Sequence, residues 1–306
     1  MATQGTDNQD HKPDNIVLAV GAIIFTVCVL SLGDALIKQI SNGFVIWQIF
    51  VLRSVLAAPV LLAAMLYFAK GARIVPRAPL WTTLRSIMLV AMWVAYYAAL
   101  PHLQLSIAAA AYYTLPIFIT LFSAMLGMEK VSRIGWAAVA IGFLGVLLIL
   151  RPKADAFNAY ALLPLISAML YALAMILTRT KCREEHPFTL SLSLNLCFII
   201  VGLGAAFLTG TFVGPERDGF FLAPWTAMGS SEWLAMALLA VAVLIGSVGA
   251  AIAYQSGPSS VVSTFDFAYV GFAVVWGLLF FGEMPDGFSL LGMAMIVLAG
   301  TLSVRQ

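Results

Sequence analysis

A few polar or ionisable side chains stand inside long apolar runs of this sequence. Arg53, Asn195 and Asp266 lie deep in such runs, and Asp34 and Lys38 lie near the end of the first. A charge at the centre of a bilayer costs about 2.5–3.5 kcal/mol on insertion scales, so each charge requires a partner, a wet cavity or a ligand. A guanidinium binds a carboxylate through two hydrogen bonds, and a buried carboxylate can hold an ammonium group or a proton. These residues predict recognition of a small charged solute.

Each of these side chains also has a structural interpretation. Arg53 either binds a substrate carboxylate or pairs with carbonyl groups or Asp34 to hold helices together. Asn195 either lines a polar cavity or makes a hydrogen bond between helices. Asp266 binds an ammonium group or a proton, or it caps or pairs within its own helix. Asp34 and Lys38 are four residues apart, which favours an internal ion pair.

Aromatic residues in the same runs could form the flat walls of a pocket. Trp47, Tyr97 and Tyr254 fall near the ends of runs, where a belt at the membrane interface is expected. The deeper aromatic residues suit the stacking of an aromatic or apolar solute. The residues that we predict to contact substrate in this way are Trp93, Tyr113, Tyr171, Tyr269 and Trp276.

The composition excludes a soluble globular protein. The chain is 62% hydrophobic and 10% charged, with a mean hydropathy of +1.00, whereas soluble domains are about half apolar and a quarter charged. Runs of about 20 apolar residues predict membrane-spanning helices. We count ten, at 16–38, 44–68, 80–100, 104–127, 133–150, 158–179, 188–209, 231–253, 258–281 and 287–304.

The ten runs divide into two similar sets of five. Leu126–Glu129 matches Phe280–Glu283 at a spacing of 154 residues, and Ala137–Gly145 parallels Gly292–Gly300 after a shift of one residue. An odd number of spans per unit places the two copies in opposite orientations, the inverted-repeat architecture of many secondary transporters. We therefore predict an all-α membrane fold with a central cavity between two five-helix repeats.

The predicted organisation has three parts and a defined orientation. Residues 1–15 form a disordered tail, residues 16–152 the first repeat and residues 153–306 the second. Lys and Arg concentrate in the loops that share a side with the tail, ten against four, when Arg53 and Arg85 are left out as residues within spans. Such loops stay on the cytoplasmic side. Both termini are therefore expected in the cytoplasm.

Several glycines and prolines could bend the helices. Pro116 interrupts the fourth run, and Pro258 follows Gly257 at the start of the ninth. Gly246 and Gly249 in the eighth run permit bending or close approach. We name Pro116, Gly246, Gly249 and Pro258 as candidate hinges, with ordinary helix packing as the alternative. Small residues of the fifth and tenth runs are expected to brace helices against each other: Ala138, Gly142, Gly145, Gly292 and Gly300.

A set of short motifs resembles a known family. The motifs are Leu52-Arg53, Tyr96–Leu100, Ala108–Pro116, Gly127-Met128-Glu129, Arg151-Pro152 and Gly282-Glu283. Together they resemble the EamA-type ten-helix carriers of the drug/metabolite transporter superfamily, and within them the bacterial exporters of aromatic amino acids. Val270 stands where the family often repeats the proline seen at Pro116. The resemblance implies export of amino acids or other metabolites through a cavity between the two halves, from a bacterial inner membrane.

Other classes of function find little support in the sequence. The phosphate-loop motif GxxxxGK[ST] and the enzyme motifs HExxH and GxSxG are absent, and His11, His102 and His186 fall in the tail or loops. We expect no enzyme, cofactor, metal or nucleic-acid partner. A secondary transporter for amino acids is the preferred hypothesis, because Arg53 and Asp266 could hold a carboxylate and an ammonium group. A broad exporter of apolar drugs or other metabolites is the alternative.

Overall fold

The computed structural model consists of helices joined by turns and short connections. The described residues are 14–40, 44–69, 71–99, 111–127, 131–150, 160, 162–212, 219–282 and 287–303, and no strand occurs among them. The helices are α1 (Ile16–Ile40), α2 (Ile46–Tyr67), α3 (Pro79–Ala99), α4 (Leu115–Met125), α5 (Arg133–Leu150), α6 (Leu162–Thr180), α7 (Pro187–Phe212), α8 (Gly219–Leu222), α9 (Ser230–Ser256), α10 (Ser259–Asp266), α11 (Ala268–Phe281) and α12 (Gly287–Ser303). Residues 1–13 of the predicted tail at 1–15, and the side chains of Asp34 and Lys38, lie outside the described residues.

Five of these helices are long and apolar enough to cross a membrane: α1, α2, α6, α7 and α9. Many large apolar side chains on the helices are exposed, among them Leu66, Phe207 and Val297. Exposed apolar side chains on a long helix suit contact with lipid tails, because hydrocarbon solvates them. Pro79 and Pro187 are the first residues of α3 and α7, where no helical hydrogen bond is lost, whereas Pro59 lies inside α2.

The ninth predicted span is broken into two helices. The sequence predicts one run at 258–281, but α10 ends at Asp266 and α11 begins at Ala268. Both the Ser263 and Thr264 hydroxyls donate hydrogen bonds to the carbonyl of Ser260, at 3.1 and 3.0 Å. Such side-chain bonds to the preceding turn compete with the helical ladder and bend helices. The break places Asp266 at a helix end inside the protein.

Two glycines with positive φ strengthen the internal repeat. Gly127 ends α4 with φ 64° and Gly282 ends α11 with φ 66°, a conformation that glycine adopts at little cost. They are 155 residues apart, the same spacing that relates Ala137 to Gly292. The motifs that end in Glu129 and Glu283 are 154 residues apart in the sequence comparison, so their spacing differs by one residue from that of the two glycines.

Close glycine contacts hold the helices together in pairs. A Cβ added to Gly145 of α5 would lie 2.7 Å from the carbonyl oxygen of Gly292 on α12, and one added to Gly142 would meet the ring of Phe267. The bracing role expected of Gly142 and Gly145 is confirmed. In the same way α9 approaches α1 and α7 approaches α2, while α3 packs along α6. Small residues permit such backbone contact between apolar helices.

We expect Gly145→Ala to lower the melting temperature of the purified protein. The added methyl group would collide with backbone rather than with a mobile side chain, and overpacking of this kind typically costs about 1–3 kcal/mol. Gly21→Ala in α1 is the matched control, because its Cβ would have no atom within 4 Å. Equal melting temperatures for the two variants in detergent would contradict the bracing role of Gly145.

One end of the molecule is closed by a cluster of polar contacts, which we call the Asp14 end. Asp14 accepts hydrogen bonds from Arg179 and Arg183, each at 2.6 Å. The backbone N–H of Asn15 donates a hydrogen bond to the backbone carbonyl of Ser256 at 2.7 Å. The Gln255 amide donates to two carbonyl groups in the connection between α6 and α7. The start of α1, the end of α6 and the end of α9 are therefore tied together here.

The Asp14 ion pairs predict a stability difference that depends on pH. Partial burial acts to raise the pKa of Asp14, but its hydrogen bonds and charge interactions with Arg179 and Arg183 outweigh this and lower that pKa below its ordinary value. Stability from a lowered pKa is present above about pH 4, the ordinary carboxyl range, and is lost as the pH falls through the lowered pKa. Asp14→Asn should therefore be less stable than the parent at pH 7 by at most about 1 kcal/mol.

The measurement is the melting temperature of parent and Asp14→Asn protein between pH 3 and 8. The difference should be present at neutral pH and disappear in acid. Glu184→Gln, an exposed acidic residue at the same end, is the control and should show no such trend. A difference between parent and Asp14→Asn that persists unchanged to the lowest pH would rule out the ionic contribution.

Candidate functional site

Arg53 lies buried among aromatic rings from three helices. Its side chain is 4% exposed, and its guanidinium carbon lies 4.9 Å from the ring centre of Phe50, 4.5 Å from Phe198 and 5.7 Å from Trp93. A cation over an aromatic face gains about 0.5–2 kcal/mol, and more when water is excluded. The depth of Arg53 in its run predicts an interior position, and the structure places it there, where α2, α3 and α7 meet.

Polar atoms without a hydrogen-bond partner among the described residues lie on α2 and α7, two of the helices that surround Arg53. Asn195 on α7 is fully buried; its amide nitrogen donates to the carbonyl of Ser191 at 2.9 Å. Neither the Asn195 Oδ1 nor the Ser54 hydroxyl on α2 has a partner among the described residues. Buried polar groups are usually satisfied, and those that are not require an explanation such as a water or a ligand. Asn195 and Ser54 therefore extend the polar surface near Arg53.

A continuous series of ring contacts leads from Arg53 to Asp266; we call it the aromatic chain. Its centroid distances run from 5.2 to 6.4 Å, in the range of favourable aromatic pairs. The rings come from α3, from the segment before α4, from α6 and from α9. In order from Arg53 they are Trp93, Tyr97, Tyr96, Tyr112, Tyr171 and Tyr254.

Asp266 closes the aromatic chain at its other end. It is 5% exposed, and its Oδ2 accepts a hydrogen bond of 2.5 Å from the Tyr254 hydroxyl. No lysine or arginine lies within ion-pair distance of it in the described part of the chain. A buried carboxylate without a cation is costly unless it binds a proton or a positively charged ligand. The site thus carries a cation and a carboxylate at the two ends of one aromatic surface.

The other predicted site residues have separate positions. Tyr113 and Tyr269 form a branch of the aromatic chain, with ring centres 5.5 Å apart and Tyr113 at 5.8 Å from Tyr112. Trp276 lies apart from it, since its indole nitrogen donates to the Ser31 hydroxyl of α1 at 3.0 Å. Among the described residues, no hydrogen bond or ring contact joins Trp276 to the remaining site residues.

The candidate hinge residues occupy two kinds of position. Pro116 lies in the first turn of α4, and Pro258 separates α9 from α10, so both stand at helix boundaries. Gly246 and Gly249 lie within the unbroken helix α9, where added Cβ atoms would meet Leu30 and Thr26 of α1. Close approach to α1 accounts for these two glycines, and the hinge role of all four residues stays a prediction.

Sequence position alone misassigned or missed two site residues. Tyr254 falls near the end of its run, where an interfacial belt is expected, but it is fully buried and bonds Asp266. The belt prediction was wrong for Tyr254 because α10 folds back over the end of α9. Arg85 is not among the site residues predicted from the sequence, where it counts only as a residue within a span, yet its side chain is buried, at 1% exposed. The cost of burying a charge was the signal that could have singled it out.

At the end opposite Asp14, α8 lies against the entrance to the aromatic chain. The Trp47 indole donates to the carbonyl of Phe221 at 2.8 Å, and Phe220 lies 5.7 Å from the ring of Tyr97. Gln48 both donates to and accepts from the backbone of Thr226, at 2.8 and 3.0 Å. A cleft of about 390 Å³ opens beside this segment, between Trp47, the end of α7 and Ala223–Trp225. It lies outside the aromatic chain, which contains the buried charges, so we place the candidate site in the chain.

Comparison with known proteins identifies the family. A model of the EamA-like transporter family matches residues 16–151. A riboflavin transporter of Rhizobium johnstonii is 32% identical over 231 residues, which make up 74% of this chain and 70% of that protein. The chain belongs to the EamA-like transporter family. The resemblance seen in its sequence motifs to the drug/metabolite transporter superfamily is confirmed, and the chain is a multi-pass membrane transporter.

Further relatives extend this similarity over nearly the whole EamA-like chain. A pseudopaline exporter of Pseudomonas aeruginosa is 26% identical over 291 residues, 95% of each protein. An S-adenosylmethionine uptake transporter of Rickettsia conorii is 21% identical over 291 residues, 93% of this chain and 91% of that one. A crystal structure that is 17% identical superposes with a TM-score of 0.79 over 95% of this chain and 98% of the other, which shows a common fold.

Tyr254→Phe tests whether the hydrogen bond to Asp266 stabilises this site. Removing the hydroxyl leaves a buried carboxylate without its partner, which should lower the free energy of unfolding by about 1–3 kcal/mol. The same substitution in an Asp266→Leu background should cost much less, because no buried acceptor remains. Chemical or thermal unfolding of the four proteins in detergent gives the coupling energy. Purely additive effects would show that the hydroxyl and the carboxylate act independently.

Proposed function

We propose that this EamA-like protein is a secondary transporter that exports amino acids, chiefly aromatic or other apolar ones, across a bacterial inner membrane. One observation carries the proposal: a buried guanidinium and a buried carboxylate stand at the two ends of a continuous aromatic surface. An aromatic amino acid presents a carboxylate, an ammonium group and a ring. Each of these groups has a chemical counterpart in the site.

The binding roles follow from the chemistry of each group. Arg53 is suited to a substrate carboxylate, since a guanidinium binds carboxylates with charge-assisted hydrogen bonds. Asp266 is suited to the ammonium group, because no lysine or arginine lies within ion-pair distance of it among the described residues. The two charged groups of an amino acid are bonded to one carbon atom, so Arg53 and Asp266 would bind it at successive positions along the aromatic chain. The rings of Trp93, Tyr112 and Tyr171 are suited to stacking against the side chain of the substrate. An apolar drug would use the rings and neither charge.

The helix packing supports a two-fold arrangement of two five-helix repeats. Exchange of α1–α5 with α6, α7, α9, α10–α11 and α12 maps most of the extensive packing pairs onto one another, although the packing of α9 on α7 has no counterpart of similar extent between α3 and α2 in the described residues. Thus α1 packs on α9 as α6 packs on α3, and α2 packs on α9 as α7 packs on α3. The pairs α5 with α12, α2 with α7 and α4 with α10 map onto themselves. Such symmetry favours alternating access, in which one repeat rocks against the other around a central site.

The distribution of charge supports a cytoplasmic position for the Asp14 end. Five basic residues lie in or beside its connections: Arg73, Arg77, Arg179, Lys181 and Arg183. Basic residues in short connections are retained in the cytoplasm. With this orientation both termini are cytoplasmic and substrate enters the exporter from the Asp14 end. The pseudopaline exporter, similar over 95% of both chains, favours export over uptake.

A flat ring metabolite is the second candidate substrate. The riboflavin transporter of R. johnstonii is 32% identical to this chain, and an aromatic wall would suit the stacking of a large fused ring. Charge distinguishes the candidates: a neutral ring metabolite needs the rings of the aromatic chain, whereas an amino acid also needs Arg53 and Asp266.

Transport by purified protein in liposomes tests the proposal. We expect counterflow of labelled phenylalanine or tryptophan with the parent protein. Arg53→Gln and Asp266→Asn should each raise KM by about 10- to 100-fold, since a hydrogen bond to a charged group contributes roughly 1.5–3 kcal/mol. Arg77→Gln, an exposed arginine in a connection, is the matched control and should leave KM unchanged.

The same assay separates the substrate classes. Riboflavin transport that survives Arg53→Gln and Asp266→Asn but is lost in Trp93→Ala would favour the flat ring metabolite. Absence of amino-acid counterflow in the parent protein, with riboflavin carried normally, would exclude the amino-acid assignment and leave the transporter class standing.

A further inference from the structure

Arg85 is a second buried guanidinium, on α3 and nearer the Asp14 end than Arg53. It is the largest fully buried side chain in the described part of the protein, at 1% exposed. Its position is fixed by Thr178 on α6: the Arg85 Nε donates to the Thr178 hydroxyl oxygen at 2.5 Å, and that hydroxyl in turn donates to the carbonyl of Ala174. The guanidinium is therefore held in one orientation between α3 and α6.

This guanidinium lacks a counter-charge. No carboxylate lies within ion-pair distance of Arg85 among the described residues, and its Nη1 has no hydrogen-bond partner there. The nearby Cys182 thiol does not supply a negative charge, because burial raises its pKa above the ordinary value. Arg85 remains protonated in proteins. A buried cation that is oriented but not neutralised is prepared for an anionic ligand.

The surroundings connect Arg85 to the candidate site. Tyr171, a ring of the aromatic chain, lies on α6, the helix that also carries Thr178, the hydrogen-bond partner of Arg85. Thr178 and Tyr171 lie two turns apart on α6, so their side chains are on the same face of that helix. Arg53 thus lies beside Trp93 at one end of the aromatic chain, and Arg85 is hydrogen-bonded to α6, the helix that carries Tyr171.

We propose that Arg85 is a second carboxylate-binding residue, which holds the carboxylate of an entering amino acid before Arg53 does. The proposal rests on the proposed function, and it adds a specificity residue on the Asp14 side of the site. Because its carboxylate and ammonium group are bonded to one carbon atom, the amino acid moves as a whole along the aromatic chain, and its carboxylate leaves Arg85 and then binds Arg53 as the protein changes the side to which it opens. No covalent bond changes in this step.

Transport measured separately from each face of the membrane tests this role. In inside-out and right-side-out vesicles, Arg85→Gln should raise KM for phenylalanine entering from the Asp14 end by about tenfold or more, as expected when one charge-assisted hydrogen bond is lost. KM from the opposite face and the maximum rate should change little. Transport of 2-phenylethylamine, which has no carboxylate, should be the same in parent and variant.

Two further variants keep the test decisive if Arg85→Gln does not fold. Arg85→Lys retains the charge but not the fixed planar geometry, and Thr178→Val removes the acceptor that orients the guanidinium. Each should raise KM for phenylalanine at the Asp14 face and spare 2-phenylethylamine. Arg77→Gln, exposed in a connection, is the matched control and should behave as the parent.

The outcomes separate this inference from the function on which it rests. If the parent carries phenylalanine and the Arg85 and Thr178 variants have unchanged KM at both faces, Arg85 is a structural residue and this proposal is wrong. If the variants lower transport of phenylalanine and 2-phenylethylamine equally, the effect is on folding or packing and the proposal is also wrong. If the parent carries no amino acid, the proposed function falls and the role of Arg85 falls with it.

Discussion

The structure depends on how three charged side chains are kept inside an apolar helix bundle. Arg53, Arg85 and Asp266 are each at most 5% exposed, and burial of a lone charge opposes folding strongly. Each is offset in a different way: Arg53 by the faces of aromatic rings, Arg85 by the oriented hydroxyl of Thr178, and Asp266 by the hydroxyl of Tyr254. The solutions for Arg53 and Asp266 use aromatic residues in the middle of the bundle, Trp93 and Tyr254 among them, where aliphatic residues would be sufficient for packing alone.

The helix breaks serve the same requirement. Helix α10 ends at Asp266, so that the carboxylate stands at the irregular junction with α11 and within reach of Tyr254 on α9. Helix α4 starts only at Leu115, beside Tyr112 and Tyr113 of the aromatic chain. Irregular backbone at membrane depth is tolerated where protein surrounds it or where it lines a cavity. Both breaks lie beside the candidate site.

Much of the fold could be predicted from the sequence because the bilayer limits the choice. Apolar run length predicted the long helices, and the Gly145 brace followed from the spacing of small residues. The break at Phe267 was missed because the pattern of a run carries no information on which hydroxyl bonds to which carbonyl. Arg53 and Asp266 could be singled out by the cost of burying a charge. Tyr254 could not, since its position in the run suggests an interface and only the tertiary path of α10 buries it.

Both ends of the molecule are fastened in this structure, one by Asp14 and the other by the reciprocal bonds between Gln48 and Thr226. Opening of one fastening would separate the helix ends that it joins and give a solute a route toward the aromatic chain. Its observed affinity is then the intrinsic affinity multiplied by the population of that open form. The two fastenings differ in kind, because one is ionic and weakens with salt while the other is between neutral groups. A higher ionic strength should therefore weaken the Asp14 contacts more than the contacts between Gln48 and Thr226, and so favour the form that opens at the Asp14 end.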